Sequence, residues 1–115
     1  MAMRLSRSIV GEAEAEAVRR VIVEDGYLGI GAETKRFEEE LSSYLGVDPD
    51  MVATVNSGTA ALTIAVDAVA PGRFAPGAAV RGSVLVPSLT FVSSFQAITA
   101  CGCRPIACEV LPNTV

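Results

Sequence analysis

The chain has 115 residues, of which 9 are basic, 13 are acidic and none is histidine, and half of its residues are apolar. At this length we expect one domain at most, with a core that needs no disulfides. The acidic balance argues against binding DNA or RNA, because counterion release requires a basic surface. The lack of histidine rules out a serine–histidine–aspartate triad within the chain and removes the commonest metal ligand.

Three cysteines, Cys101, Cys103 and Cys108, lie in an apolar stretch. Their odd number favours buried free thiols in a reducing compartment, and their spacing matches no common zinc site. The first residues are polar, and no signal peptide or membrane span follows them. We therefore expect a cytoplasmic protein with no membrane partner.

Two helices are predicted in the first half of the chain. Residues 11–23 place apolar side chains at helical spacing, with glutamates in the first turns where the helix dipole favours negative charge. Residues 26–31 contain three glycines and predict a loop. The second helix is predicted to begin near Thr34, with Phe37 and Leu41 on its apolar face, and to end at Gly46.

The second half alternates strands with helices. Apolar segments predict strands at residues 51–55, 83–86 and 105–110. Helices are predicted from residue 60 to the Pro-Gly pair at 71–72, largely buried, and at residues 93–100, with an Ala-rich loop at 73–81. This order predicts an α/β fold with a mostly parallel sheet and helices on both faces. Three strands make a small sheet, so we interpret the sequence as part of a larger domain.

One segment, Asn56 to Ala61, is a candidate anion site because a strand is predicted to end there and a helix to begin. Gly58 would let an anion approach the backbone, and Ser57 or Thr59 could cap the helix or donate a hydroxyl group. Spacing alone favours an ordinary helix cap. A helix end supplies about half a positive charge against the 1.5 to 2 negative charges of a phosphate, so further donors are needed.

Other candidate residues have simpler alternatives. Phe91 follows the second predicted strand and could stack on a planar ring, or it could be a core residue at the start of the next helix. Lys35 lies in a glutamate-rich segment, where we expect a solvated surface residue and not a nucleophile. The glycines at 29 and 31 follow no predicted strand, which argues against NAD binding.

Several motifs taken together resemble the DegT/DnrJ/StrS sugar aminotransferases. They occur in the order of that family over nearly the whole chain: Leu-Gly-Ile-Gly at 28–31, Phe-Glu at 37–38, Tyr-Leu-Gly at 44–46, Asn-Ser-Gly-Thr-Ala-Ala-Leu at 56–62, Val-Pro-Ser-Leu-Thr-Phe at 86–91 and Gly-Cys-Arg-Pro at 102–105. Members are several times longer, so the chain corresponds to an N-terminal portion.

The resemblance implies the large domain of a fold-type I, aspartate-aminotransferase-like enzyme. Such an enzyme uses pyridoxal 5′-phosphate (PLP) to transfer an amino group, usually from glutamate, to a keto sugar linked to a nucleotide. The residues that would bind the cofactor are Ser57, Gly58, Thr59 and Ala60 at its phosphate and Phe91 at its ring. The residues near the substrate would be Leu28, Gly29 and Gly31. The family also implies a homodimer whose second subunit supplies phosphate donors.

The resemblance assigns residues 1–50 to a helical arm with the glycine loop and residues 51–115 to part of the cofactor domain. The lysine that reacts with the cofactor and the carboxylate that pairs with its ring nitrogen lie beyond this segment, so no catalytic residue can be named. The 115-residue chain alone is expected to be inactive. Two alternatives stay open: a sugar dehydratase of the same fold, and a non-catalytic sensor or structural fragment.

Overall fold

The computed structural model describes residues 8–70, 72 and 80–113. The polar N-terminal residues 1–7 and positions 73–79 of the expected Ala-rich loop lie outside them. The chain divides into two compact units, Met1–Ala53 and Thr54–Val115.

The first unit contains two helices. Helix α1 spans Glu12–Arg20 and continues as a short π-helix at Val21–Asp25, while α2 spans Ala32–Leu45. The amide of Gly11 donates to the Glu14 carboxylate (2.7 Å), which satisfies one unpaired donor at the start of α1. This bond lowers the pKa of Glu14. Gly46 ends α2 in the left-handed conformation at φ 69°, as predicted.

The second unit is built around a parallel β–α–β unit. Helix α3 spans Gly58–Val69, strand β1 Ser83–Pro87, helix α4 Val92–Ala100 and strand β2 Arg104–Cys108. The two strands pair in parallel, with Leu85 opposite Ile106. These elements agree with the sequence predictions to within a few residues.

A small core lies on one face of this sheet. It consists of Val86, Ile98, Cys101 and Cys103, with Val66 and Phe95 among the partly buried side chains packed on it. Helices α3 and α4 therefore cover the Val86 face. On the opposite face Leu85 is 72% exposed.

Two predictions from the sequence are wrong. Residues 51–55 do not form a strand: Met51 ends a 3-10 turn at Pro49–Met51, and the sheet in the described residues contains β1 and β2 only. The backbone at Val52 is nevertheless extended (φ −118°, ψ 122°), although no strand of the described residues pairs with it. Helix α3 is not buried either, since it packs on α4 along one side and leaves Ile64 58% exposed.

Candidate functional site

The N-terminus of α3 is open, and Ser57 caps it. The Ser57 backbone is extended (φ −163°, ψ 155°), and its hydroxyl oxygen accepts a hydrogen bond from the amide of Ala60 at 3.2 Å. The Ser57 carbonyl accepts from the amide of Ala61 at 3.0 Å. Of the two predicted capping residues, Ser57 is therefore the one that caps the helix.

The surface beside this cap is accessible. Ser57, Gly58 and Thr59 are exposed, and Ala60 is half-buried. Apart from the neighbouring backbone of α3, a methyl group built on Gly58 would meet no atom within 4 Å. Because the first amides of a helix have no intrahelical acceptor, those of Gly58 and Thr59 are placed to donate to a bound anion.

The basic residue bound to α3 lies at the opposite end of the helix. The side chain of Arg81 is only 7% exposed and forms a salt bridge with Asp67. Its guanidinium also donates to the carbonyls of Ala70 at 3.1 Å and Gly72 at 2.6 Å, and to that of Cys101 at 3.2 Å. The Arg81 guanidinium pairs with carbonyl groups at the negative, C-terminal end of the α3 dipole. It therefore provides no positive charge for an anion at the N-terminus of α3.

Phe91 follows β1 and immediately precedes α4. Its backbone is extended (φ −74°, ψ 144°), and the residue is 75% exposed, so Phe91 is not part of the core formed by the described residues. The carbonyl of Phe91 accepts from the amide of Ser94 at 3.0 Å, and the hydroxyl groups of Thr90 and Ser94 lie 3.0 Å apart. These bonds fix the turn that presents the ring to solvent.

The predicted substrate residues lie in the first unit, in the loop before α2. Leu28 is 76% exposed. Leu28, Gly29 and Gly31 border a cavity of about 250 Å³ together with Tyr27. Lys35 is exposed, as expected for a surface residue.

Two of the three cysteines, Cys101 and Cys103, belong to the core of the second unit. Cys101 and Cys103 are buried, Cys108 is half-buried, and all three are free. The Cys101 thiol donates to the carbonyl of Thr63 at 3.2 Å. Burial raises the pKa of Cys101, and the nearby Asp67 carboxylate raises it further. Cys101 therefore stays protonated as a packed core residue.

Sequence reasoning missed two residues, Tyr27 and Arg81. Tyr27 had a usable signal, since glycines two and four residues later leave space for a large ring. Arg81 had no such signal, because its partners lie 9 to 20 residues away in the chain.

Among the helices of the described residues, none is both long and apolar enough to cross a membrane.

Comparison with known proteins gives consistent results. The model of the DegT/DnrJ/EryC1/StrS aminotransferase family matches residues 8–115. A dTDP-4-dehydro-2,3,6-trideoxy-D-glucose 4-aminotransferase from Saccharopolyspora spinosa is 38% identical over 113 residues, which cover 98% of this chain and 27% of that protein. A GDP-perosamine synthase from Caulobacter vibrioides is 34% identical over 85 residues, covering 74% of this chain and 20% of the relative.

A solved structure supports the fold. The aminotransferase TlmJ from Streptoalloteichus hindustanus is 39% identical and superimposes with a TM-score of 0.71, over 90% of this chain and 26% of that one. The predicted α/β class with a parallel sheet is thereby confirmed. The chain spans about a quarter of the length of these relatives. It belongs to the DegT/DnrJ/EryC1/StrS aminotransferase family.

Proposed function

We propose that the protein containing this chain is a PLP-dependent aminotransferase. It would transfer an amino group from an amino acid such as glutamate to a keto sugar linked to a nucleotide. The names of the relatives from Saccharopolyspora spinosa and Caulobacter vibrioides support this substrate class. The observation that carries the proposal is the open N-terminus of α3, where Gly58 leaves the backbone accessible to a phosphate.

Two parts of the second unit carry the proposed cofactor contacts, the N-terminus of α3 and the turn before α4. The amides of Gly58 and Thr59, with Ser57 and Ala60 beside them, would hold the phosphate, because a helix N-terminus combines free donors with a positive dipole end. Phe91, exposed in the turn before α4, would stack on the pyridine ring. When bound, PLP supplies the electron sink that lets an amino group leave an amino acid and join a carbonyl carbon.

The remaining assignments belong to the same proposal. Residues 1–50 would form a helical arm with the glycine loop, in which Leu28, Gly29 and Gly31 would bind the substrate, and residues 51–115 would form part of the cofactor domain. The helix end offers about half a positive charge to a ligand with 1.5 to 2 negative charges. We therefore propose that the protein is a homodimer whose second subunit supplies further phosphate donors, and its free cysteines support a cytoplasmic location.

The test uses the full-length protein loaded with PLP and supplied with glutamate and dTDP- or GDP-linked 4-keto sugars. We expect an amino sugar and a 2-oxo acid to form in equal amounts. A product that has lost a hydroxyl group without gaining nitrogen would indicate the dehydratase instead. No turnover, with no retention of PLP, would favour the non-catalytic alternative.

The phosphate site is tested by Gly58→Val. A Cβ atom at this position meets no atom within 4 Å apart from the neighbouring backbone of α3, so the fold should persist, while the valine methyl groups block the approach to the amides. Loss of charge-assisted hydrogen bonds predicts PLP binding weaker by roughly 10- to 100-fold. Gly11→Ala is the matched control, because its methyl group would meet only Glu14 at 3.7 Å. Unchanged PLP affinity in folded Gly58→Val would show that the N-terminus of α3 does not bind the phosphate.

A further inference from the structure

In the loop before α2, Tyr27 folds its ring back over the two glycines that follow it. A methyl group built on Gly29 would lie 2.8 Å from the Tyr27 hydroxyl oxygen and 2.9 Å from Cζ. One built on Gly31 would lie 3.3 Å from Cδ1 of the same ring. The ring thus fills the space that side chains at both positions would need.

The backbone itself does not require glycine at these positions. Gly26, at the start of the loop, has a positive φ of 64°, whereas Gly29 and Gly31 are not among the described glycines with positive φ. Gly31 is extended, at φ −108° and ψ −162°, a conformation open to other residues. The physical reason for glycine at 29 and 31 is therefore the position of the Tyr27 ring.

The chemistry of the adjoining cavity suits a sugar ring. Tyr27 is 61% exposed, so its ring still offers apolar surface to the cavity of about 250 Å³ that it borders. The charged residues in the lining are Asp25 and Glu33, and Thr34 adds a hydroxyl group. Carboxylates repel phosphate but accept hydrogen bonds from sugar hydroxyls, while an aromatic face favours the C–H groups of a sugar.

We propose that Tyr27 binds the sugar ring of the keto-sugar substrate, and that Gly29 and Gly31 act by supporting its ring. This inference rests on the proposed function. It changes the role of the two glycines from direct substrate contact to positioning of Tyr27.

The experiment measures binding by isothermal titration to the full-length, PLP-loaded protein. The probes are dTDP- and GDP-linked 4-keto sugars, and dTDP and GDP alone. Tyr27→Ala should weaken binding of the sugar nucleotide by about 3- to 10-fold and leave binding of the free nucleotide unchanged. Tyr27→Phe keeps the ring and should bind like the unmodified protein.

The glycines are tested in the same assay. Gly29→Ala should weaken sugar-nucleotide binding when Tyr27 is present and add no further loss to Tyr27→Ala, because the two changes disturb one contact. Gly11→Ala, a glycine change in the same unit whose methyl group would make only an ordinary contact with Glu14, should have no effect.

The outcomes separate this inference from the proposed function. Unchanged sugar-nucleotide binding in Tyr27→Ala overturns the inference alone, as does an equal loss for sugar nucleotide and free nucleotide. An additive double variant, or a Gly29→Ala variant without effect, overturns the supporting role of the glycine. If the unmodified protein binds no sugar nucleotide, the proposed function fails and the inference fails with it.

Discussion

Ser57 is both the cap of α3 and a residue of the proposed phosphate site, and substitutions can separate these roles. Ser57→Ala removes the cap, which should cost about 1 kcal/mol of unfolding free energy. It leaves the amides in place, so PLP affinity should fall only modestly. Ser57→Asp should keep the stability, since aspartate caps as well as serine, but its charge would repel the phosphate and weaken PLP binding more than alanine does.

Urea unfolding of the cofactor-free protein and PLP titration measure the two effects. Ser57→Asp should be more stable than Ser57→Ala, whereas Ser57→Ala should bind PLP more tightly than Ser57→Asp. If the PLP affinities of the two variants followed the order of their unfolding free energies, Ser57 would cap the helix without lying beside the phosphate.

At the level of single residues, the sequence was sufficient where a signal is local. The exposed Lys35 and a cap at either Ser57 or Thr59 follow from neighbours within a few positions, and the structure assigns the cap to Ser57. The exposure of Phe91 could not be predicted, because an aromatic residue before a helix can face the core or solvent, and the decision depends on the Thr90 to Ser94 turn.

Helix α3 is anchored at its C-terminal end by Arg81. The buried guanidinium binds Asp67 and the carbonyls beyond the helix, so Arg81→Met removes several charge-assisted hydrogen bonds while keeping the aliphatic volume. We expect a loss of about 2 to 3 kcal/mol in unfolding free energy. Asp67→Asn should cost less than about 1 kcal/mol, because Asp67 is 62% exposed and the carbonyl contacts remain.

Urea denaturation of the full-length protein measures both changes. Arg81→Lys is an informative third variant, since it keeps the charge but not the planar fork, and should be intermediate. Equal losses for Arg81→Met and Asp67→Asn would show that the ion pair, and not the group of carbonyls, stabilises this end of α3.

The elements themselves were predictable because their patterns are local, but their burial was not. Strands β1 and β2 are separated in sequence only by α4 and its loops, and they pair with each other. Val52 has the same strand-like backbone without a paired strand in the described residues. Ile64 is apolar yet exposed, because periodicity reports which face of a helix is apolar and not which element covers it.

At the scale of the whole molecule, one sheet face carries apolar side chains in solvent. Leu85 and its neighbour Ile106 are 72% and 38% exposed. Exposed apolar patches drive association, so we expect the 115-residue chain in isolation to self-associate and to enhance the fluorescence of a hydrophobic dye. Replacing both residues with threonine retains β propensity and should reduce both signals. Light scattering and dye titration measure them, and a dye-silent monomer would contradict this expectation.

The β1–α4–β2 unit also bears on biosynthesis. The pairing of β1 with β2 lies between Ser83 and Cys108, and the core contacts described above reach back to Thr63 and Val66 on α3, so these contacts are available once Cys108 has been synthesised. Short-range contacts form quickly, and domains begin to fold while translation continues. We therefore expect Cys101 and Cys103 to be shielded from oxidants while the nascent polypeptide is still attached to the ribosome.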